Sequence, residues 1–163
     1  LATEQYAMAY YKVYGLKTIP LRYFNVYGPK QDPTSQYSAV IPKFITLMLQ
    51  GKQPTINGDG TTSRDFTYID NVVEANILCA LNENVGGEYF NCACHGQITL
   101  NELVQKINEI LGTNLEPLYA DFREGDIKHS FADITKIEKM IGFKPIVDFE
   151  EGLRKTVEWY KYI

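Results

Sequence analysis

The stretch Leu21-Arg22-Tyr23-Phe24-Asn25-Val26-Tyr27-Gly28-Pro29 organises the reading of the chain. With the preceding Lys17-Thr18-Ile19-Pro20 it predicts a strand over residues 17–24. Pro20 counts against a central place for its own position, because proline has no N–H to give a ladder. Asn25 follows the strand directly. Ligands of open α/β sheets gather beyond the carboxyl ends of strands, so Asn25 stands where a polar anchor would be useful. An asparagine there can equally stabilise its own turn. A polar loop containing Pro and Gly follows through residues 28–37.

Working outward, residues 2–14 read as a helix, with Tyr6, Tyr10 and Tyr14 at i, i+4 spacing and Gly15 as the stop. A stripe of this kind is read as core. A second helix spans 38–50 and closes at Gly51, which requires Pro42 to lie in its first turn. Residues 53–68 hold short extended pieces around Asn57-Gly58-Asp59-Gly60, whose pattern is that of a hairpin-like turn. A helix over 70–82 shows Val72, Val73, Ile77 and Leu81, and residues 88–94 form a buried strand. Thr99-Leu100-Asn101-Glu102 is a capping-box pattern before a helix that carries Leu103, Ile107, Ile110 and Leu111. A strand near 115–120 and helices over 134–141 and 149–162 complete the chain, the last one opening at Asp148-x-x-Glu151. Helices and strands alternate, so the class is α/β, without two independent domains. Only two strong strands, 17–24 and 88–94, are available for a parallel sheet. Two strands cover themselves poorly, which points to sequence missing upstream.

The 163 residues are 45% apolar and 22% charged, which excludes a disordered or fibrous chain. Net charge is −4, and residues 1–82 carry 7 basic and 6 acidic side chains against 9 and 14 in residues 83–163. A broad nucleic-acid footprint is therefore not expected, and any basic site must be a local cluster. No apolar run approaches the roughly 18 residues that cross a bilayer, so no membrane partner is expected. The chain opens on Leu1 rather than Met, which suggests a fragment. Cys79, Cys92 and Cys94 are too few for a disulfide framework and read as buried thiols, in keeping with a reducing, cytoplasmic setting. With only His95 beside Cys92 and Cys94, no metal-ligand set is complete.

The chain holds no GxGxxG, GxxxxGK[ST], HExxH or paired CxxC. His95 and His129 lack a companion nucleophile. Arg64, in Thr62-Ser63-Arg64-Asp65-Phe66, can pair with Asp65 or a neighbour. Arg123, in Phe122-Arg123-Glu124-Gly125-Asp126, can be a solvated loop charge. Two arginines converging on one cleft would instead suit a diphosphate, whose oxygens match guanidinium forks.

Four motifs, taken in order, give the chain a family. Leu21 to Pro29, Ala39-Val40-Ile41-Pro42-Lys43, Gly58-Asp59-Gly60-x-x-Ser63-Arg64-Asp65-Phe66-x-Tyr68-Ile69-Asp70-x-Val72 and Asp121-Phe122-Arg123-Glu124-Gly125-Asp126-Ile127-Lys128-His129-Ser130-x-Ala132-Asp133 resemble the C-terminal half of an extended short-chain dehydrogenase/reductase of the nucleotide-sugar epimerase type. Tyr89-Phe90-Asn91 extends the match. The resemblance implies the C-terminal part of a Rossmann-type NAD(P)-binding fold with a small α/β substrate domain. Residues 1–28 and about 69–96 would contribute to the Rossmann layer, and about 29–68 and 97–163 to nucleotide-sugar binding.

The resemblance further implies a 4-epimerase of a UDP-hexose or UDP-N-acetylhexosamine that uses tightly bound NAD to oxidise C4 transiently. The alternatives are a dTDP- or UDP-sugar 4,6-dehydratase of the same family, or a non-catalytic UDP-binding, self-associating module. Tyr23 would lie against the nicotinamide and Asn25 would touch the phosphate–sugar region. Ala39 and Val40 would line the uracil pocket with Thr55 and Asn57 nearby. Arg64 and Arg123 would clamp the diphosphate, and Asp126 would accept a ribose hydroxyl. The catalytic Tyr-x-x-x-Lys is expected upstream of Leu1, since no tyrosine of the chain is followed four residues on by lysine. No catalytic residue is therefore assigned, and the chain alone is expected to be inactive. The intact enzyme is expected to be a homodimer.

Overall fold

The computed structural model describes residues 1–34 and 40–162. Helix α1, Ala2–Tyr14, ends where Gly15 turns left-handed at φ 69° and its N–H returns to the Tyr11 carbonyl. The chain then runs extended to β1, Leu21–Tyr23, shorter than the sequence suggests. Pro20 stands just before the strand, where it needs no N–H, and its carbonyl accepts from the Phe90 amide. The partner of β1 is β6, Phe90–Cys92, which runs parallel to it with Leu21 opposite Phe90 and Tyr23 opposite Cys92.

Three further strand sets follow. Val26–Tyr27 (β2) is parallel to Thr67–Tyr68 (β5), and Thr55–Asn57 (β3) is parallel to Leu118–Ala120 (β8). Ser63–Arg64 (β4) lies between Ile98–Thr99 (β7), antiparallel to it, and His129–Ser130 (β9), parallel to it. The turn at Asn57-Gly58-Asp59-Gly60 is thus not a hairpin. It carries the chain out of the β3–β8 pair and into the β4 sheet, because each strand pairs with a segment far along the chain.

Helix α2, Val40–Leu49, holds Pro42 in its first turn as required, while residues 35–39, with the expected helix start and Ala39, lie outside the described residues. Helices α3 (Ile69–Leu81), α4 (Leu100–Leu111), α5 (Thr135–Ile141) and α6 (Phe149–Tyr160) fall where the periodicity puts them. One core gathers α2, α4 and α6 around Ile45, Ile56, Leu103 and Leu153. The other packs α3 and α5 on β6 through Ala75, Cys92, Ile137 and Phe143.

Two of the three expected apolar stripes, those of α1 and α3, are corrected. Helix α1 buries no residue, and Tyr6, Tyr10 and Tyr14 all face solvent. Its hold on the fold comes from other positions: Glu4 takes a bidentate ion pair from Arg22, the Ala7 carbonyl accepts from Thr18, and Tyr11 lies on Gly86 and Gly87. On α3 the buried face is Asn71, Val72, Ala75 and Cys79, while Val73, Ile77 and Leu81 are exposed. Asn71 sets that rotation. Its amide oxygen accepts from the Ile146 and Val147 amides, and its Nδ2 donates to the Val147 carbonyl.

The cysteines are free thiols, with Cys79 and Cys92 buried and Cys94 half-buried; burial pushes Cys92 up to about 12. No helix among the described residues is long and apolar enough to cross a membrane. No group of three or more described His, Cys, Asp or Glu residues is placed to hold a metal.

The capping box at α4 is complete: Thr99 accepts from the Glu102 amide and Glu102 accepts from the Thr99 amide. Thr99→Ala removes one half of it and is expected to cost about 1 kcal/mol, a loss of about 2–4 °C in Tm for a domain of this size. Differential scanning calorimetry checks this, and an unchanged Tm would show the cap idle.

Candidate nucleotide-sugar site

The site is built where parallel strands end. Asn57 and Ala120 are the last register pair of β3 and β8, and the Gly58 amide still donates to the Ala120 carbonyl at 2.8 Å. Both chains then leave the sheet from the same edge. They meet again in β4 and β9, where the Ser63 amide donates to the Lys128 carbonyl and the Asp65 amide to the Ser130 carbonyl. Segments 58–62 and 121–128 are therefore held side by side at both ends. Such an edge is where α/β folds take ligands.

Local chemistry fixes each loop. Asp59 accepts from both the amide and the hydroxyl of Thr61, which holds its carboxyl below the ordinary range. Asn101, from the first turn of α4, donates to the Asp59 carbonyl and lies so close to Gly60 that a Cβ there would overlap it. Gly58, at φ +86°, is covered by the ring of Phe122. In the second loop the Asp126 amide donates to the Arg123 carbonyl, making a tight turn through Gly125.

Arg64 lies where the two segments rejoin. Its Nη1 donates to the Ser63 carbonyl at 2.8 Å and to the Lys128 carbonyl at 3.4 Å. The guanidinium is thus oriented by backbone of both segments rather than by Asp65, with N–H groups to spare for a ligand. Asp65 instead points inward. Fully buried, it accepts from the amides of Cys94 and Ala132, with the Gly96 amide close by. Burial raises its pKa, and the neighbouring amides offset only part of that rise. Beside it Ser63 shares a 2.8 Å hydrogen bond with His129 Nδ1.

Asn25 joins this cluster. Its Nδ2 donates to the Asp65 carbonyl and its own carbonyl accepts from the Thr67 amide. It does so at φ 37°, a conformation asparagine tolerates better than most residues. Asn25 therefore ties the end of β1 to the Arg64–Asp65 segment. Thr55 and Asn57 are exposed on one side of β3, with Ile56 buried on the other. Val40 is half-buried at the start of α2, and Arg123 and Asp126 are exposed in their loop.

Tyr23 is half-exposed at the end of β1, with its hydroxyl donating to Asn76 of α3. Among the described residues, His129 hydrogen-bonds the buried Ser63, and His95 packs against Phe131. Sequence reasoning did not find the roles of Asp65 and Asn71, because their partners are backbone amides and carbonyls 29 to 76 residues away.

Residues 1–93 match the model of the NAD dependent epimerase/dehydratase family. The chain belongs to that family. A putative UDP-glucose 4-epimerase of Methanocaldococcus jannaschii is 39% identical over 158 residues, covering 97% of this chain and 50% of that protein. Among solved structures, the UDP-N-acetylglucosamine 4-epimerase of Methanobrevibacter ruminantium in complex with UDP-N-acetylmuramic acid superposes with TM-score 0.93 at 45% identity. It is matched over 99% of this chain and 51% of its own length. The UDP-glucose 4-epimerase of Thermotoga maritima with UDP-glucose gives TM-score 0.92 at 42% identity, over 99% and 51%. The fold is thus the C-terminal part of a Rossmann-type epimerase fold. The chain spans about half the length of the curated relatives it matches.

Proposed function

We propose that the chain is the nucleotide-sugar-binding half of an NAD-dependent 4-epimerase acting on a UDP-hexose or UDP-N-acetylhexosamine. The observation that supports this reading is that segments 58–64 and 121–130 run between the same two strand pairings, with Arg64 hydrogen-bonded to Lys128 and Asn25 to Asp65. Arg64 and Arg123 take the diphosphate, Asn25 the phosphate–sugar junction and Asp126 the ribose. Thr55, Asn57 and the start of α2 receive the uracil. A nucleotide anchored this way leaves its sugar free to turn.

The glycine-rich phosphate loop of an NAD site is not in this chain, and Tyr23, half-exposed at the end of β1 with its hydroxyl on Asn76, is the residue the chain offers to the nicotinamide. The redox chemistry and the catalytic base belong to the whole protein. In that reading β1 and β6 with α1 and α3 belong to the cofactor layer, and residues 29–68 and 97–163 to the sugar-nucleotide layer. The whole protein works as a homodimer in the cytoplasm, a setting supported by the three free thiols.

The test is interconversion of UDP-GlcNAc and UDP-GalNAc by the full gene product. Conversion is expected there and not with the 163-residue chain alone. No interconversion of any UDP-hexose, despite bound NAD, contradicts the reading. The exposed faces of α1 and α3 favour a second reading, a UDP-binding module that self-associates. A concentration-independent monomer in sedimentation would exclude it.

A further inference from the structure

The segment from Leu118 to Phe131 is unusual in what it exposes. Leu118, Tyr119, Phe122, Ile127 and Phe131 all face solvent there, interleaved with Arg123 and Asp126. Phe122, 65% exposed, rests on Gly58. Gly58 is the residue after Asn57, and both Asn57 and Thr55 are exposed. The ring is seated on backbone that only glycine provides, since a Cβ at position 58 would overlap it. A flat apolar surface thus stands beside hydrogen-bonding side chains and next in sequence to Arg123.

We propose that Phe122 is a ligand-binding residue: its ring is the wall against which the nucleobase of a nucleoside diphosphate stacks. The assignment rests on the nucleotide-binding reading above. Stacking supplies affinity to any base, and its worth is lost when the ring face is removed. Thr55 and Asn57 then read the edge of the base. The diphosphate contacts through Arg64 and Arg123 do not depend on the ring.

The experiment is calorimetric titration of the chain with UDP and, separately, with inorganic diphosphate. Phe122→Ala is expected to weaken UDP by about tenfold and to leave diphosphate unchanged. Phe122→Leu, which still covers Gly58 but has no ring face, is expected to lose as much. Phe122→Trp is expected to keep UDP affinity and to gain an emission that UDP quenches, beyond any change from Trp159. UDP binding unchanged in Phe122→Ala or retained in Phe122→Leu, equal loss of UDP and diphosphate, or an unresponsive Phe122→Trp would each overturn the assignment while leaving the nucleotide reading intact. Failure of the unsubstituted chain to bind UDP would overturn the nucleotide reading itself, and this assignment with it.

Discussion

Asp65→Ala is expected to lower Tm by roughly 6 °C. The carboxylate is fully buried and takes the Cys94 and Ala132 amides, which lie on two segments otherwise distant in sequence. Removing it leaves both donors unpaired at about 1 kcal/mol or more each. Relief of the carboxylate's own burial offsets part of this, but the small alanine side chain cannot bring water to both amides. A loss of about 2 kcal/mol converts to about 4–8 °C in Tm for a domain of this size. Asp65→Asn, which keeps one oxygen acceptor and turns an N–H₂ towards the other amide, is expected to fall between. Thermal unfolding followed by circular dichroism measures both. A Tm within 2 °C of the parent for Asp65→Ala would mean that the two amides find other partners.

Arg64→Ala and Arg123→Ala are each expected to weaken UDP binding by about 10- to 150-fold. That is the effect of losing a charge-assisted contact worth about 1.5–3 kcal/mol. Arg64 should be the more sensitive of the two, because backbone carbonyls of both segments already hold its guanidinium in place and little ordering remains to be done on binding. Arg64→Lys keeps the charge but not the fork, and should recover only part of the loss. Isothermal titration gives the affinities directly, with diphosphate as a second ligand expected to suffer in parallel. UDP affinity unchanged in both alanine variants would remove the diphosphate clamp from the account.

What could be read from the sequence follows from how local the determining physics is. Helix ends were legible because the signals sit within one turn of them. Gly15 adopts the left-handed conformation at the end of α1, and Thr99 and Asp148 cap α4 and α6 within three residues. The tyrosine stripe of α1 was misjudged for the opposite reason. Periodicity shows that a helix has an apolar face, not what covers it, and α1 is anchored through Glu4, Ala7 and Tyr11 instead.

The Asn57–Gly60 turn was read as a hairpin because glycines of positive φ serve a hairpin and a crossover equally well. The partner strand that decides between them lies some 60 residues further on, at Leu118–Ala120. The site divides along the same line. The motifs named Asn25, Arg64, Arg123 and Asp126 as residues of one site, whereas the ties that join their segments are made by side chains reaching residues distant in the chain: Asn25 to the Asp65 carbonyl, Arg64 to the Lys128 carbonyl and Ser63 to the His129 ring. Asp65 itself was legible only as a motif letter and as a possible salt-bridge partner of Arg64. Its role as a buried acceptor of amides depends on where residues 94–96 and 132 return.

The central claim is that segments 58–64 and 121–130 form one nucleotide site. Amide chemical-shift mapping of the isotopically labelled chain during titration with UDP tests it most directly. The account predicts saturable shifts concentrated at residues 57–64 and 121–130 and at Asn25, with the same arginine-centred subset moved by inorganic diphosphate. Saturable shifts clustered elsewhere, or none at all as UDP is added to excess, would contradict it.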